Sequence, residues 1–398
     1  MKKMIYAAVL VFTFISASCS PKAVHKDFSG GPLSRELLSK AASSAGFKVV
    51  KVEADVPRSI RPRFAWKTFA YDDGLIAPLR ERYKLNDLVK GAENEWEGQL
   101  ALKHWVHGRI TNGTPTVDAI HAVDILKYAA EGKEFWCTFY AITYIECAEA
   151  LGWQARKVCL DIDHGLDGGP GSQHHGAAEV WSNYYRKWVF IDPQSDLHFE
   201  KDGLPLSAWE IRGEWLRNEG ADVDHVVGMP FERELKNPAI VWWKLPERDE
   251  TGLFFWLTYY DNYATWDEDS PSKWLFPQDC AHSGKMWYQG GEKRHLHAGY
   301  EKKLFQATER IDDVYWTVGV VEASVVGVSG GEIILSLDSY CPDFDYYEAK
   351  TGADGWGEVA EGYRLVWPLK KGTNSLSVRT VNKGGVRGPE TSLELIVK

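Results

Sequence analysis

Two runs, "HHGAAEVWS" at residues 174–182 and "KWVFID" at residues 187–192, stand four residues apart. Both are short, rich in β-branched and aromatic residues, and bounded by polar turn formers, which is the pattern of a β-hairpin. With Asn183–Arg186 as the loop, Ser182 pairs with Lys187, and Ala177 then faces Asp192. Side chains alternate along a strand. His175 therefore shares a face with Asp192, on the diagonal, where backbones lie about 7–8 Å apart and side chains can meet. His174 points to the other face with Ala178, Val180, Val189 and Ile191, an apolar core surface. Any even loop length preserves this arrangement, and an odd one exchanges the two histidines.

A second stretch gives the histidine a partner. "EFWCTFYAITYIECAEALGWQAR", residues 134–156, reads as a helix with Cys137 in its first turn. Cys137, Ala141, Tyr144, Ala148 and Leu151 fall on one stripe, with Glu146 and Glu149 largely off it, so an amphipathic helix is expected. Gly152 closes it. The free N–H groups and dipole of a helix start stabilise a thiolate. Packing is the ordinary fate of a free cysteine. A histidine and an aspartate on one hairpin face shift the reading towards a nucleophile, a base and an orienter.

The chain has 398 residues, 44% of them hydrophobic, enough for more than one core. Its start, "MKKMIYAAVLVFTFISASCS", has two lysines, an apolar run and small residues before Cys19, and reads as a signal peptide. A cysteine straight after small residues resembles a bacterial lipoprotein cleavage site, although Ser16 stands where leucine is usual. The expectation is a lipid on Cys19 and a protein anchored at the bacterial cell envelope, at the outer membrane. Without Lys2 and Lys3 there are 44 basic against 56 acidic residues, a net charge of −12. That balance argues against nucleic acid as a partner. Cys137, Cys147, Cys159, Cys280 and Cys341 remain after Cys19, an odd number, so at least one free thiol is expected. No close CxxC pair suggests a metal site, and no cofactor is expected.

Five segments are expected: 1–19 signal peptide, 20–90 tether and N-terminal segment, 91–215 catalytic core, 216–305 aromatic-rich extension, and 306–398 β-sandwich. "AENEWEGQLALKHWVHGRI" and "DAIHAVDILKYAAEGK" read as helices and "ARKVCLDID" as a strand, with a glycine-rich loop at Gly165–Gly171. The extension holds Trp242, Trp243, Trp256, Tyr259, Tyr260, Trp266, Trp274 and Trp287 and follows no regular pattern. Beyond it, "GEIILSLDSY", "YRLVWPL", "NSLSVRTVN" and "TSLELIVK" alternate between glycines, a sandwich signature. The stretch "KGTNSLSVRTVNKGGVRGP" resembles the last hairpin of an immunoglobulin-like or fibronectin-like module.

The region from about Gln99 to Ile211 resembles the transglutaminase-like superfamily, whose fold is related to papain-like cysteine proteases. "CTFYA" from Cys137, "LGWQAR" from Leu151, His175 four residues before "EVW", and "WVFIDP" from Trp188 carry the likeness in chain order. The resemblance implies an α+β fold and the roles nucleophile Cys137, base His175 and orienter Asp192. It implies thiol-dependent acyl transfer on a peptide, protein or glycopeptide substrate, by hydrolysis or cross-linking. The Cys137 backbone N–H is one expected oxyanion donor, with Trp105 and Gln99 as candidates for the second. Two departures, Phe135 where the family has glycine and "HGAAE" where it has H-x-W-x-E, are expected to narrow the mouth of the cleft. The alternative is a catalytically silent binding lipoprotein that recognises a glycan or peptide.

Overall fold

Helix α6 (Cys137–Ala150) is buried on every side, Glu146 and Glu149 included. In this computed structural model, which describes residues 34–63, 66, 68–161, 174–228, 256–260, 273–277, 304–308 and 310–398, it is the axis of the core. The expected polar face does not exist. Glu146 instead accepts from the Ala122 N–H at 2.7 Å and pairs with His121 Nδ1 at 2.9 Å. It thereby caps the start of α5 (Ala122–Ala130), where orphan N–H groups make a buried carboxylate tolerable. Burial raises the Glu146 pKa, and His121 opposes that rise.

Around α6 lie α2 (Ala77–Arg82), α3 (Leu85–Val89) and α4 (Glu95–His107). Asn94 caps α4 by accepting from the Glu97 N–H at 3.0 Å. The helices pack on one face of a six-stranded sheet. Its order is β12 (Leu304–Thr308), β11 (Lys273–Pro277), β10 (Trp256–Tyr260), β4 (Ala155–Asp161), β5 (His174–Ser182) and β6 (Lys187–Ile191). Ala178, Val180, Val189 and Ile191 meet the helices, while Ala177, Phe190, Val158 and Leu160 join a second core on the opposite face. That second core also takes in Leu197, Phe199 and Val314, together with Ala208 and Ile211 of α7 (Ala208–Asn218). A small sheet, β8 (Leu204–Pro205), β7 (Leu197–Lys201) and β9 (Asp224–Val227), belongs to that side. The two-residue strands β2 (Thr111–Asn112) and β3 (Glu134–Phe135) pair in parallel just before α6.

Two further sheets face each other across one hydrophobic cluster. One has the order β1 (Val49–Asp55), β19 (Thr391–Val397), β18 (Gly372–Asn382), β15 (Phe344–Thr351) and β16 (Gly357–Glu358). The other is β13 (Val321–Ser329), β14 (Glu332–Ser339) and β17 (Arg364–Pro368). Val321, Ala323 and Val325 meet Leu393, Leu395 and Val397 there, the alternate residues of their strands. Helix α1 (Arg35–Ser44) adds Leu38, Ala41 and Ala42 to the same cluster. The segment 20–90 is therefore divided. Its first part, α1 and β1, completes the C-terminal sandwich, because β1 pairs antiparallel with β19, while α2 and α3 join the helical layer.

Within the extension 216–305, β10 pairs antiparallel with β4 and prolongs the core sheet. Trp242, Trp243, Trp266, Trp287, Cys19, Cys280 and the Gly165–Gly171 loop lie outside the described residues, as do the side chains of His174, Trp256, Tyr259, Tyr260 and Trp274. Among the described residues no helix is long and apolar enough to cross a membrane.

Core and sandwich touch where α6 ends. Gly152 has φ +85°, and a Cβ there would lie 3.1 Å from the Gly384 Cα. The Gly152 carbonyl accepts from Asn382 Nδ2 at 2.7 Å. Glycine is required on both counts, the left-handed backbone and the close approach.

Candidate active site

The hairpin pairs as its loop length dictates: Ser182 with Lys187, Trp181 with Trp188, and on to Ala178 with Ile191. Arg186 takes the left-handed position in the loop, φ 56°. The register brings His175 and Asp192 together, with His175 Nε2 3.1 Å from Asp192 Oδ2. Both side chains are inaccessible to solvent, at 1% and 0% exposure. The His174 backbone pairs with Asp161.

Cys137 enters from the other side. The chain is extended at Trp136 (φ −92°, ψ −178°) and turns helical at Cys137, so the thiol sits in the first turn of α6. The Cys137 side chain is partly buried. Its sulfur accepts from the Gly176 N–H at 3.4 Å and lies near enough to His175 to raise the pKa of that imidazole. Gly176 is a functional residue that the hairpin reading passes over. A Cβ there would lie 2.9 Å from Thr138 Oγ1 and 3.4 Å from Thr138 Cα. Its signal in the sequence is a glycine inside a strand, beside the histidine, which marks a close backbone approach.

Burial disfavours the His175 imidazolium, but the Asp192 carboxylate and the Cys137 sulfur outweigh it and raise the pKa to about 9. Burial alone would raise Asp192. His175 and Ser195 hold it below the usual carboxylate range instead. The other Asp192 oxygen, Oδ1, accepts from the N–H groups of Gln194 (3.0 Å) and Ser195 (3.3 Å). A carboxylate with two backbone donors and an imidazole partner is held both charged and oriented.

The expected second oxyanion donors sit elsewhere. Gln99 is fully buried, and its Nε2 donates to the Trp181 carbonyl at 2.9 Å and to Glu95 at 3.3 Å. Glu95 in turn accepts from the Asn183 N–H at 2.7 Å and is pushed up to about 7 by burial, against those hydrogen bonds. The Gln99 carboxamide thus braces the far end of the hairpin and is not placed to serve an oxyanion. The Trp105 ring packs edge-on against Tyr83, centroids 5.7 Å apart, with the Arg109 guanidinium 5.1 Å from its centre. No described contact takes either residue to Cys137.

The expected narrowing of the mouth by Phe135 is also corrected. Phe135 is fully buried and stacks on Phe139, centroids 5.0 Å apart. The exposed aromatic beside the thiol is Trp136, at 44%. Ala177 and Ala178, which replace the family's tryptophan pattern, are both buried at 0% exposure. Among the described residues no group of three or more His, Cys, Asp or Glu side chains is arranged to hold a metal ion.

No family model matches the chain, and no curated protein matches it. Solved structures that resemble it include these two. A protein from Cytophaga hutchinsonii assigned as a cysteine protease is 17% identical over 31% of this chain, with a TM-score of 0.23, and the match spans 43% of that protein's length. The transglutaminase of red sea bream is 10% identical over 92% of this chain and 78% of its own, with a TM-score of 0.25. The chemistry of the site rests on its own geometry.

Proposed function

We propose that the protein carries out thiol-dependent acyl transfer on amide or peptide bonds, with Cys137 as nucleophile, His175 as acid and base, and Asp192 as orienter. One observation carries the reading: a helix-start thiol that accepts from the Gly176 N–H neighbours His175, whose Nε2 a buried carboxylate holds at 3.1 Å, and the thiol and that carboxylate together raise the imidazole pKa. The sulfur attacks the carbonyl carbon, and the Cys137 N–H at the helix start helps hold the oxyanion. The carbon–nitrogen bond breaks, His175 passes its proton to the departing amine, and a thioester remains. Water then attacks with His175 as base, releasing acid and free thiol. An amine in place of water gives a cross-link. Water is the acceptor we favour, and an extracytoplasmic setting, anchored through a lipid on Cys19, goes with it.

The test is iodoacetamide labelling of the whole protein against pH with mapping of the modified cysteine, followed by a carboxamide and peptide panel. That panel is read for released ammonia, new amino termini and incorporation of a dansylated amine. Cys137 should label first, His175→Ala should abolish its activation, and Cys137→Ala should lose all turnover. Faster labelling at Cys147 or Cys159 overturns the assignment. Activated labelling without turnover of any amide leaves the binding lipoprotein as the reading. For the anchor, mass spectrometry of the mature N-terminus should find lipid on Cys19, and any other first residue removes that part.

A further inference from the structure

Lys103, on α4, is fully buried. An unpaired buried ammonium is among the most costly groups a protein can hold. Here Nζ meets the Asp196 carbonyl at 2.7 Å, the Gly228 carbonyl at 3.0 Å and Asp196 Oδ1 at 3.1 Å. The two carbonyls accept hydrogen bonds, and the Asp196 carboxylate supplies the counter-charge. Burial lowers the Lys103 pKa, with Asp196, Asp192 and Glu200 opposing it.

These contacts grip the turn that carries the triad carboxylate. Asp192 and Leu197 close that turn with two reciprocal backbone hydrogen bonds of 2.9 Å, and Asp196 takes the left-handed position at φ 51°. The same helix supplies two more holds. His104 Nδ1 lies 2.6 Å from Asp196 Oδ2, and His107 Nδ1 lies 2.9 Å from the Gln194 carbonyl. Residues 103, 104 and 107 share one side of a helix. Gln194 also supplies one of the two N–H groups that orient Asp192. A shift of this turn therefore moves the carboxylate relative to His175.

We propose that Lys103, seconded by His107, is a positioning residue for the triad: it fixes the turn Asp192–Leu197 to α4 and so keeps the Asp192 carboxylate aimed at His175. This rests on the acyl-transfer reading of the site. Neither residue touches the reacting atoms. The groups facing the imidazole are Asp192 and Cys137. Behind Asp192 stand Lys103 and Tyr140, whose phenol burial keeps neutral while its hydroxyl donates to the Ile110 carbonyl at 2.7 Å.

The experiment is the NMR titration of the His175 ring in the full chain, for wild type, Lys103→Met, Lys103→Arg and His107→Ala, with melting temperatures alongside. Loss of positioning and loss of charge move the ring in opposite directions. If the turn slips, His175 loses Asp192 and its pKa falls from about 9 towards the unperturbed value of 6.5. Removing a nearby cation alone would push it up. In Lys103→Met the pKa should fall by about one unit or more, a tenfold change in the imidazolium equilibrium. Lys103→Arg should keep part of it. A folded Lys103→Met whose His175 value is unchanged or raised overturns the proposal, whatever its melting temperature. If Lys103→Met does not fold, His107→Ala, at an exposed position, decides, with a smaller fall expected and no fall counting against the grip. Should Cys137 alkylation prove indifferent to His175→Ala in the wild-type background, the acyl-transfer reading fails by itself, and the titration still reports on the grip.

Discussion

The Gly176 N–H points at the Cys137 sulfur across 3.4 Å, and the same glycine lies against Thr138, the next residue of the helix. Strand and helix start are thus held at a spacing that a single methyl group disturbs. Gly176→Ala should place a Cβ 2.9 Å from Thr138 Oγ1, where Thr138 is buried and has little room to give. The cost should be about 1–3 kcal/mol of overpacking. Cys137 labelling should slow with it, because the sulfur loses its backbone donor. Adding Thr138→Ala should restore part of both. Unchanged labelling in Gly176→Ala would show that the close approach has no bearing on the thiol.

The pH dependence of stability has a defined sign. The folded His175 pKa, about 9, lies above the unperturbed 6.5. The stabilisation is therefore complete below pH 6.5 and is lost as pH rises through 9. Its size is at most about 3 kcal/mol, from the linkage between a pKa difference and folding free energy. Urea unfolding at a series of pH values should show this decline in wild type and much less of it in His175→Gln. Turnover should fall over the same alkaline range, as His175 loses the proton meant for the leaving amine.

Arg156 joins core and sandwich edge through charge and stacking. It is 1% exposed, donates to Glu179 Oε2 through Nε at 3.0 Å and Nη2 at 2.6 Å, and also donates to the Val314 carbonyl. Its guanidinium lies 4.2 Å from the Trp188 ring centre and 4.8 Å from that of Trp316. Arg156→Met strands a buried Glu179 charge and should cost about 3–5 kcal/mol in chemical denaturation. Arg156→Lys should rescue little, since an ammonium lacks the planar fork. Arg156→Met with Glu179→Gln should recover most of the loss. If the double variant is no better than the single, the pair is not what holds this region.

Phe135 and Trp136 should separate packing from substrate capture. Phe135→Ala should cost about 3–5 kcal/mol, as for other large aromatic deletions in a core. Trp136→Ala should change stability by no more than about 0.5 kcal/mol. Its effect should fall on KM, because an exposed indole beside the thiol is where an acyl substrate would lie. A Trp136→Ala enzyme with unaltered KM across the peptide panel would exclude that contact.

Local pattern determined the hairpin and the helix start. Alternation has a period of two, so once Asn183–Arg186 is the loop every pairing from Ser182–Lys187 onward follows, and with it the meeting of His175 and Asp192. The span of α6 was readable from its closing glycine, Gly152, although the amphipathic stripe read into it is absent from the buried helix. What surrounds these elements was decided only in three dimensions. Glu146 looks like a solvated residue until α5 is placed with its bare N–H groups against it. Lys103 looks the same until Asp196 brings two oxygens to it and Gly228 a third. Gln99 is taken up by the Trp181 carbonyl and Glu95 instead of an oxyanion. Strand β1 carries no mark of the sheet it joins, since its partner β19 is at the other end of the chain. Buried polar groups and non-local strand edges are satisfied by whichever partners the fold brings to them, and no window of sequence contains both members of such a pair.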